Sequence, residues 1–150
     1  MEQSSWNNTL PALEHFCEIA AEEWRQLQTG LPTDALLQAA SLIEASRMAG
    51  GRLHFSGIGK ASYVAAYCAS LFSSTGTPSY VLHGTEAVHG SCGQLSPQDI
   101  VILISNSGKT EELLRTEAAV NAIGCRTIAV TGNTGSPLAK SAVLSLPAAV

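Results

Sequence analysis

The chain has 150 residues, enough for one domain with a sizeable core. Apolar residues make up 45% and charged residues 13%, which excludes a disordered chain. A net charge of −4 offers no basic footprint for nucleic acid, and no apolar run reaches membrane-spanning length.

The N-terminus, Met1-Glu2-Gln3-Ser4-Ser5, lacks a signal-peptide pattern, so a cytoplasmic location is the expectation. Cys17, Cys68, Cys92 and Cys125 are scattered, with no C-x-x-C pair and no metal-finger spacing. They read as small apolar residues in a reduced chain, and Cys92 stands apart only in lying in a glycine-rich loop.

The elements follow in chain order. Leu13, Phe16, Cys17, Ala20, Trp24 and Leu27 recur at three- and four-residue steps and predict a helix over 9–28. Thr9 is its candidate N-cap, Pro11 suits its first turn, and Gly30 and Pro32 end it. A second helix is expected over 34–49, closed by Gly50-Gly51. Residues 1–50 therefore read as an N-terminal helical extension, whose apolar faces suit packing against a partner.

From Arg52 the period changes. Strands are expected at 53–55, 79–82, 99–104, 127–130 and 141–146, with helices at 61–73, 110–123 and 137–140. Strands that are apolar throughout and alternate with helices predict a parallel sheet covered on both faces, an α/β fold. Val150 follows directly on the fifth strand, which leads us to expect a cover from a further segment or another subunit.

The loops after these strands carry the chemistry, because ligands of parallel sheets bind beyond the strands' carboxyl ends. The first is Gly57-Ile58-Gly59-Lys60. It lacks the third glycine of a dinucleotide fingerprint and the spacing of a Walker loop, so on its own it reads equally as a ligand loop and as a tight turn. Lys60 at that edge can neutralise a phosphate or an oxyanion. The second is His83-Gly84-Thr85-Glu86-Ala87-Val88-His89-Gly90. Its two histidines and carboxylate do not enforce a metal geometry, and a polar loop lining a substrate or subunit pocket is the preferred reading, with His89 an acid–base candidate. The third, Ser105-Asn106-Ser107-Gly108-Lys109-Thr110-Glu111-Glu112, is the most informative. A strand feeds a hydroxyl-rich turn and then a helix N-terminus, where backbone N–H groups and the helix dipole favour an anion. Such an uncharged cradle suits a phosphate ester, with Glu112 placed beside whatever the phosphate is attached to. The fourth, Thr131-Gly132-Asn133-Thr134-Gly135-Ser136, is explained as a turn with an N-cap.

In this order and spacing, these motifs, with Ser73-Ser74-Thr75-Gly76-Thr77-Pro78 and Pro97-Gln98-Asp99, resemble the SIS (sugar isomerase) domain family from about Leu53 to Leu146. The resemblance is best against arabinose-5-phosphate isomerases. It implies a flavodoxin-like, five-stranded parallel α/β fold over 51–150, a phosphosugar ligand, no cofactor and no metal, and a homodimer or homotetramer. It implies Ser105, Asn106, Ser107 and Thr110 around the phosphate, with Gly57 and Gly59 among the substrate- and phosphate-binding residues. Lys60 and Glu112 match catalytic positions. Glu86 and His89 match a loop reaching a pocket shared between subunits. The implied reaction is aldose–ketose isomerisation through an enediol, and the alternative is a phosphosugar-binding or sensing module without turnover. Ala61 stands where many relatives have serine, and Ser91 where the isomerases usually have aspartate. The isomerases also carry a further glutamate and a histidine-containing segment beyond the fifth strand.

Overall fold

The computed structural model describes residues 9–148. They fall into two compact units that divide between Leu31 and Pro32. In the first unit α1 runs Thr9–Thr29 with none of its residues buried. Within this unit Leu13 (55%), Phe16 (66%) and Trp24 (62%) are exposed, so the helix has no core of its own.

The second unit contains, in order, α2 (Thr33–Met48), β1 (Leu53–Gly57), α3 (Lys60–Ser74), β2 (Ser79–Val81), 3-10 turns at Glu86–His89 and Ser91–Gln94, β3 (Ile100–Ile104), α4 (Glu111–Ile123), β4 (Arg126–Thr131), α5 (Pro137–Ser141) and β5 (Leu144–Pro147). The strands form one five-stranded sheet in the order β2-β1-β3-β4-β5, with every neighbouring pair parallel. The fold class expected from the sequence is the one observed. Only edges move: the fifth strand starts at Leu144 rather than Ser141, because Ser141 is the last residue of α5.

Alternation along β3 shows how the sheet is covered. Ile100 and Ile102 pack with Leu53, Phe55, Ala65 and Ala69, on the face that α2 and α3 cover. Val101 and Leu103 pack with Leu113, Val120 and Leu138 on the other face, beneath α4 and α5. Each such fully buried side chain contributes roughly 1.5–3 kcal/mol over its exposed state. Among the described residues no helix is long and apolar enough to cross a membrane.

A polar cluster closes the amino-terminal edge of the sheet. Asp99, just before β3, is fully buried. Its Oδ1 accepts from the Arg52 backbone N–H at 2.8 Å, and its Oδ2 from the Ser96 N–H at 2.9 Å and Arg52 Nη2 at 3.0 Å. His54 Nε2 lies 3.2 Å from the same oxygen, with its ring 1% exposed. Burial pushes the Asp99 carboxyl up, but these hydrogen bonds outweigh burial and hold it below the usual carboxylate range. Burial dominates at His54 and lowers its pKa, so the imidazole is kept neutral.

Candidate functional site

The strand order reverses between β1 and β3: the chain leaves β1 toward β2, then returns to the opposite side of β1 for β3. The loops that leave these two strands diverge, and the crevice between them is where open α/β sheets bind ligands. The register pairs Gly57 with Ile104, so Gly57–Lys60 and Ser105–Thr110 leave the sheet side by side.

Gly57, the last residue of β1, is buried against the start of α3. A Cβ there would lie 2.7 Å from the Ala61 carbonyl carbon, so glycine is what lets α3 begin this close to the strand. Gly59 precedes α3, and Lys60 is its first residue, exposed at the crevice edge.

The loop after β3 is built from its own hydroxyls. Ser105 is buried, and its Oγ accepts from the Gly108 N–H at 3.1 Å and lies 3.2 Å from Thr110 Oγ1. Ser107 Oγ accepts from the Lys109 N–H at 3.2 Å. The Asn106 carbonyl accepts from Thr131 Oγ1 at 3.1 Å and from the Gly132 N–H at 3.0 Å, which ties the loop to the one after β4. Thr110 precedes α4 in an extended conformation and no side chain caps the helix, which leaves its first-turn N–H groups facing outward from the helix end. Asn106, Ser107, Glu111 and Glu112 are exposed around it. These features give a donor-rich recess for an anion, with two carboxylates, Glu111 and Glu112, in the first helical turn, Lys109 on the loop itself and Lys60 across the crevice.

Gly108 has φ +61°, and a Cβ there would lie 2.1 Å from Ser136 Oγ and 2.5 Å from Ser136 Cβ. Gly59 shares that φ, but a Cβ there meets nothing within 4 Å. Gly108→Ala is therefore expected to cost about 2–3 kcal/mol, and Gly59→Ala about 1 kcal/mol, in chemical denaturation. Equal losses at the two positions would contradict the close seat of Gly108 on α5.

Glu86 and His89 lie on the 3-10 turn after β2, both exposed. Among the described residues no hydrogen bond or ion pair joins either side chain to the loops after β1 and β3. The start of their loop is nonetheless anchored: the Gly84 carbonyl accepts from the buried Thr116 Oγ1 of α4. A cavity of about 120 Å³ separates this segment from Gly57–Gly59, lined also by Ser62, Leu82 and His83. No group of three or more His, Cys, Asp or Glu residues able to hold a metal comes together among the described residues. The motif reading gave no sign of Glu117 in α4, a buried carboxyl bonded to Thr127 and Ser141. In the sequence it follows Arg115 and Thr116 and reads as part of a solvated helix face.

Comparison with known proteins agrees with this architecture. The chain is 38% identical over 117 residues to arabinose 5-phosphate isomerase KdsD of Pseudomonas aeruginosa, a match covering 78% of this chain and 35% of that protein. It is 44% identical over 92 residues to arabinose 5-phosphate isomerase KpsF of Escherichia coli, covering 61% of this chain and 29% of that one. The chain thus spans about a third of the length of these curated relatives. Among solved structures, an E. coli CFT073 protein in complex with arabinose 5-phosphate superposes with a TM-score of 0.80 at 37% identity, covering 94% of this chain and 73% of the other. Residues 48–150 match the SIS domain, a span that starts at the end of α2 and takes in the whole sheet and every loop of the crevice. A sheet ordered 2-1-3-4-5, a hydroxyl-built loop at its switch point and this match together place the chain in the SIS domain family.

Proposed function

We propose that the chain binds a phosphosugar in the β1/β3 crevice and isomerises an arabinose 5-phosphate-like aldose phosphate to the ketose. The observation that carries this reading is the Ser105–Thr110 loop: self-bonded hydroxyls, a closely packed glycine at positive φ and an uncapped helix N-terminus at the switch point. The names of KdsD and KpsF and the sugar-phosphate complex of the E. coli CFT073 protein support the choice of ligand.

Ser105, Asn106, Ser107 and Thr110 surround the phosphate, and Gly57 and Gly59 border the sugar. Glu112 takes the proton from C2 of the aldose and returns it to C1. Lys60 stabilises the enediolate oxygen, and His89 exchanges protons with the carbonyl and hydroxyl oxygens, with Glu86 holding a sugar hydroxyl. The proton and the electron pair shift between C1 and C2 with no net oxidation, so the reaction needs no redox partner. Residues 51–150 form the phosphosugar-binding domain and residues 1–50 a helical extension. The working assembly is a homodimer or homotetramer.

The test is a thermal-shift panel of sugar phosphates followed by a turnover assay. At a hundred times Kd a ligand adds about 2.7 kcal/mol of native-state stability, a shift of several degrees. Arabinose 5-phosphate is expected to give that shift and to be converted to ribulose 5-phosphate. Stabilisation without turnover would reduce the assignment to a binding module, and no response to any sugar phosphate would overturn it.

A further inference from the structure

Glu117 is 3% exposed, and its two hydrogen-bond partners are both hydroxyls: Thr127 Oγ1 of β4 at 3.3 Å, and Ser141 Oγ of α5. A buried carboxyl without a cation is unfavourable, and a leucine would fill this place beside Leu113, Val120 and Leu138 at lower cost. The carboxyl is therefore expected to hold something that packing alone does not.

What it holds is α5. This helix has five residues, too few to stand without tertiary support. Its last residue, Ser141, donates to Glu117. Its first turn sits on the anion loop: the Leu138 N–H donates to the Gly108 carbonyl at 3.2 Å, and the N-cap Ser136 fills the space beside the Gly108 Cα. Glu117 lies two turns along α4 from Thr110, so the helix that begins at one end of the loop also carries the group that fixes the helix behind its middle.

We infer that Glu117 is a positioning residue for the phosphosugar site, clamping α5 through Ser141 so that α5 in turn holds Gly108 and the Ser105–Thr110 loop in their anion-binding shape. The clamp rests on the reading of that loop as the phosphate site. Glu117 touches no substrate and acts only through α5.

Three variants test it. Glu117→Leu removes the carboxyl without leaving a cavity, so its melting temperature is expected to fall by only a few degrees, the cost of leaving the buried Thr127 hydroxyl without its partner. Its affinity for arabinose 5-phosphate is expected to fall about tenfold, read as a raised KM with kcat changed less than about twofold. Ser141→Ala leaves the carboxyl in place and is expected to move KM in the same direction; it carries the test if Glu117→Leu does not fold. Glu117→Gln is expected to restore wild-type KM, because its amide accepts from one hydroxyl and donates to the other. Amide exchange at Leu138, measured without ligand, is expected to quicken in Glu117→Leu and Ser141→Ala and not in Glu117→Gln. Wild-type KM with unchanged Leu138 exchange overturns the clamp, as does a glutamine variant that behaves like leucine. A wild-type chain that binds no sugar phosphate overturns the functional reading instead, and the exchange of Leu138 still decides whether Glu117 clamps α5.

Discussion

Glu112→Gln and Lys60→Met are each expected to lower kcat/KM for arabinose 5-phosphate by about 10²- to 10⁴-fold, the range for losing a positioned base or an electrostatic stabiliser. Both side chains are exposed at the crevice edge, Glu112 in the first turn of α4 and Lys60 at the first position of α3. Neither substitution empties a core position, so unfolding midpoints are expected to stay within about 0.5 kcal/mol of the wild type. The two losses differ in kind. Glutamine keeps the shape and hydrogen-bonding reach of Glu112 but cannot take a proton, so its effect falls on kcat. Methionine keeps the length of Lys60 but removes the charge that stabilises the enediolate and helps to neutralise the phosphate, so kcat and KM both worsen. The double variant is expected to be little worse than the poorer single one, since the two groups act on one step. Full activity in both single variants would remove these residues from the reaction.

The sequence exposed the parts of this site that depend on local order. Ile100–Ile104 is apolar without interruption, and a strand buried on both faces has that pattern whatever its neighbours are. Ser105–Thr110 shows its hydroxyls, its glycine and its helix start within a few residues, so the loop was legible as an anion recess before any strand was paired. Where the strands stop was harder to read, because neighbours decide it. The Leu82 N–H still donates to the Phe55 carbonyl although β2 has ended at Val81.

Long-range polar pairs were not legible. Arg52 and Asp99 are separated by 47 residues and meet only because the β1/β3 register sets Leu53 opposite Ile100. His54 looked like one more strand residue, and nothing in its neighbours marks it as a buried imidazole beside a carboxylate. Glu117 was hidden for a related reason. Which face of α4 meets β4 and α5 depends on how the helix lies on the sheet, and one more glutamate in a helix that already holds Glu111 and Glu112 carries no signal of that. The motifs marked the residues proposed to touch a ligand, whereas the groups that shape the scaffold became visible only through tertiary contacts.

Asp99→Ala is expected to be strongly destabilising, costing about 3–5 kcal/mol in chemical denaturation and lowering the melting temperature by about 10 °C or more. The carboxylate satisfies two backbone N–H groups, those of Arg52 and Ser96, and faces His54; its loss leaves buried donors without partners. Asp99→Asn keeps one acceptor and is expected to lose about half as much. Stability should also depend on pH with a definite sign. The Asp99 pKa is lowered in the fold, so its contribution is present above the ordinary carboxylate value and is lost as pH falls through the folded one. His54 is lowered as well, so the unfolded chain takes up its proton first and stability starts to fall below about pH 6.5, before Asp99 titrates. The Asp99 charge raises the His54 pKa, against the effect of burial, so removing it in Asp99→Asn widens the gap between folded and unfolded imidazole. The variant should therefore show a loss below pH 6.5 that extends to lower pH and is larger in total, and lack the later carboxylate limb. All of this chemistry lies at the amino-terminal edge of β1 and β3, while the crevice lies at their carboxyl ends. At temperatures where Asp99→Asn is still folded, its KM for arabinose 5-phosphate should match the wild type. A raised KM there would show that the two edges of the sheet are coupled, and that the cluster does more than stabilise the fold.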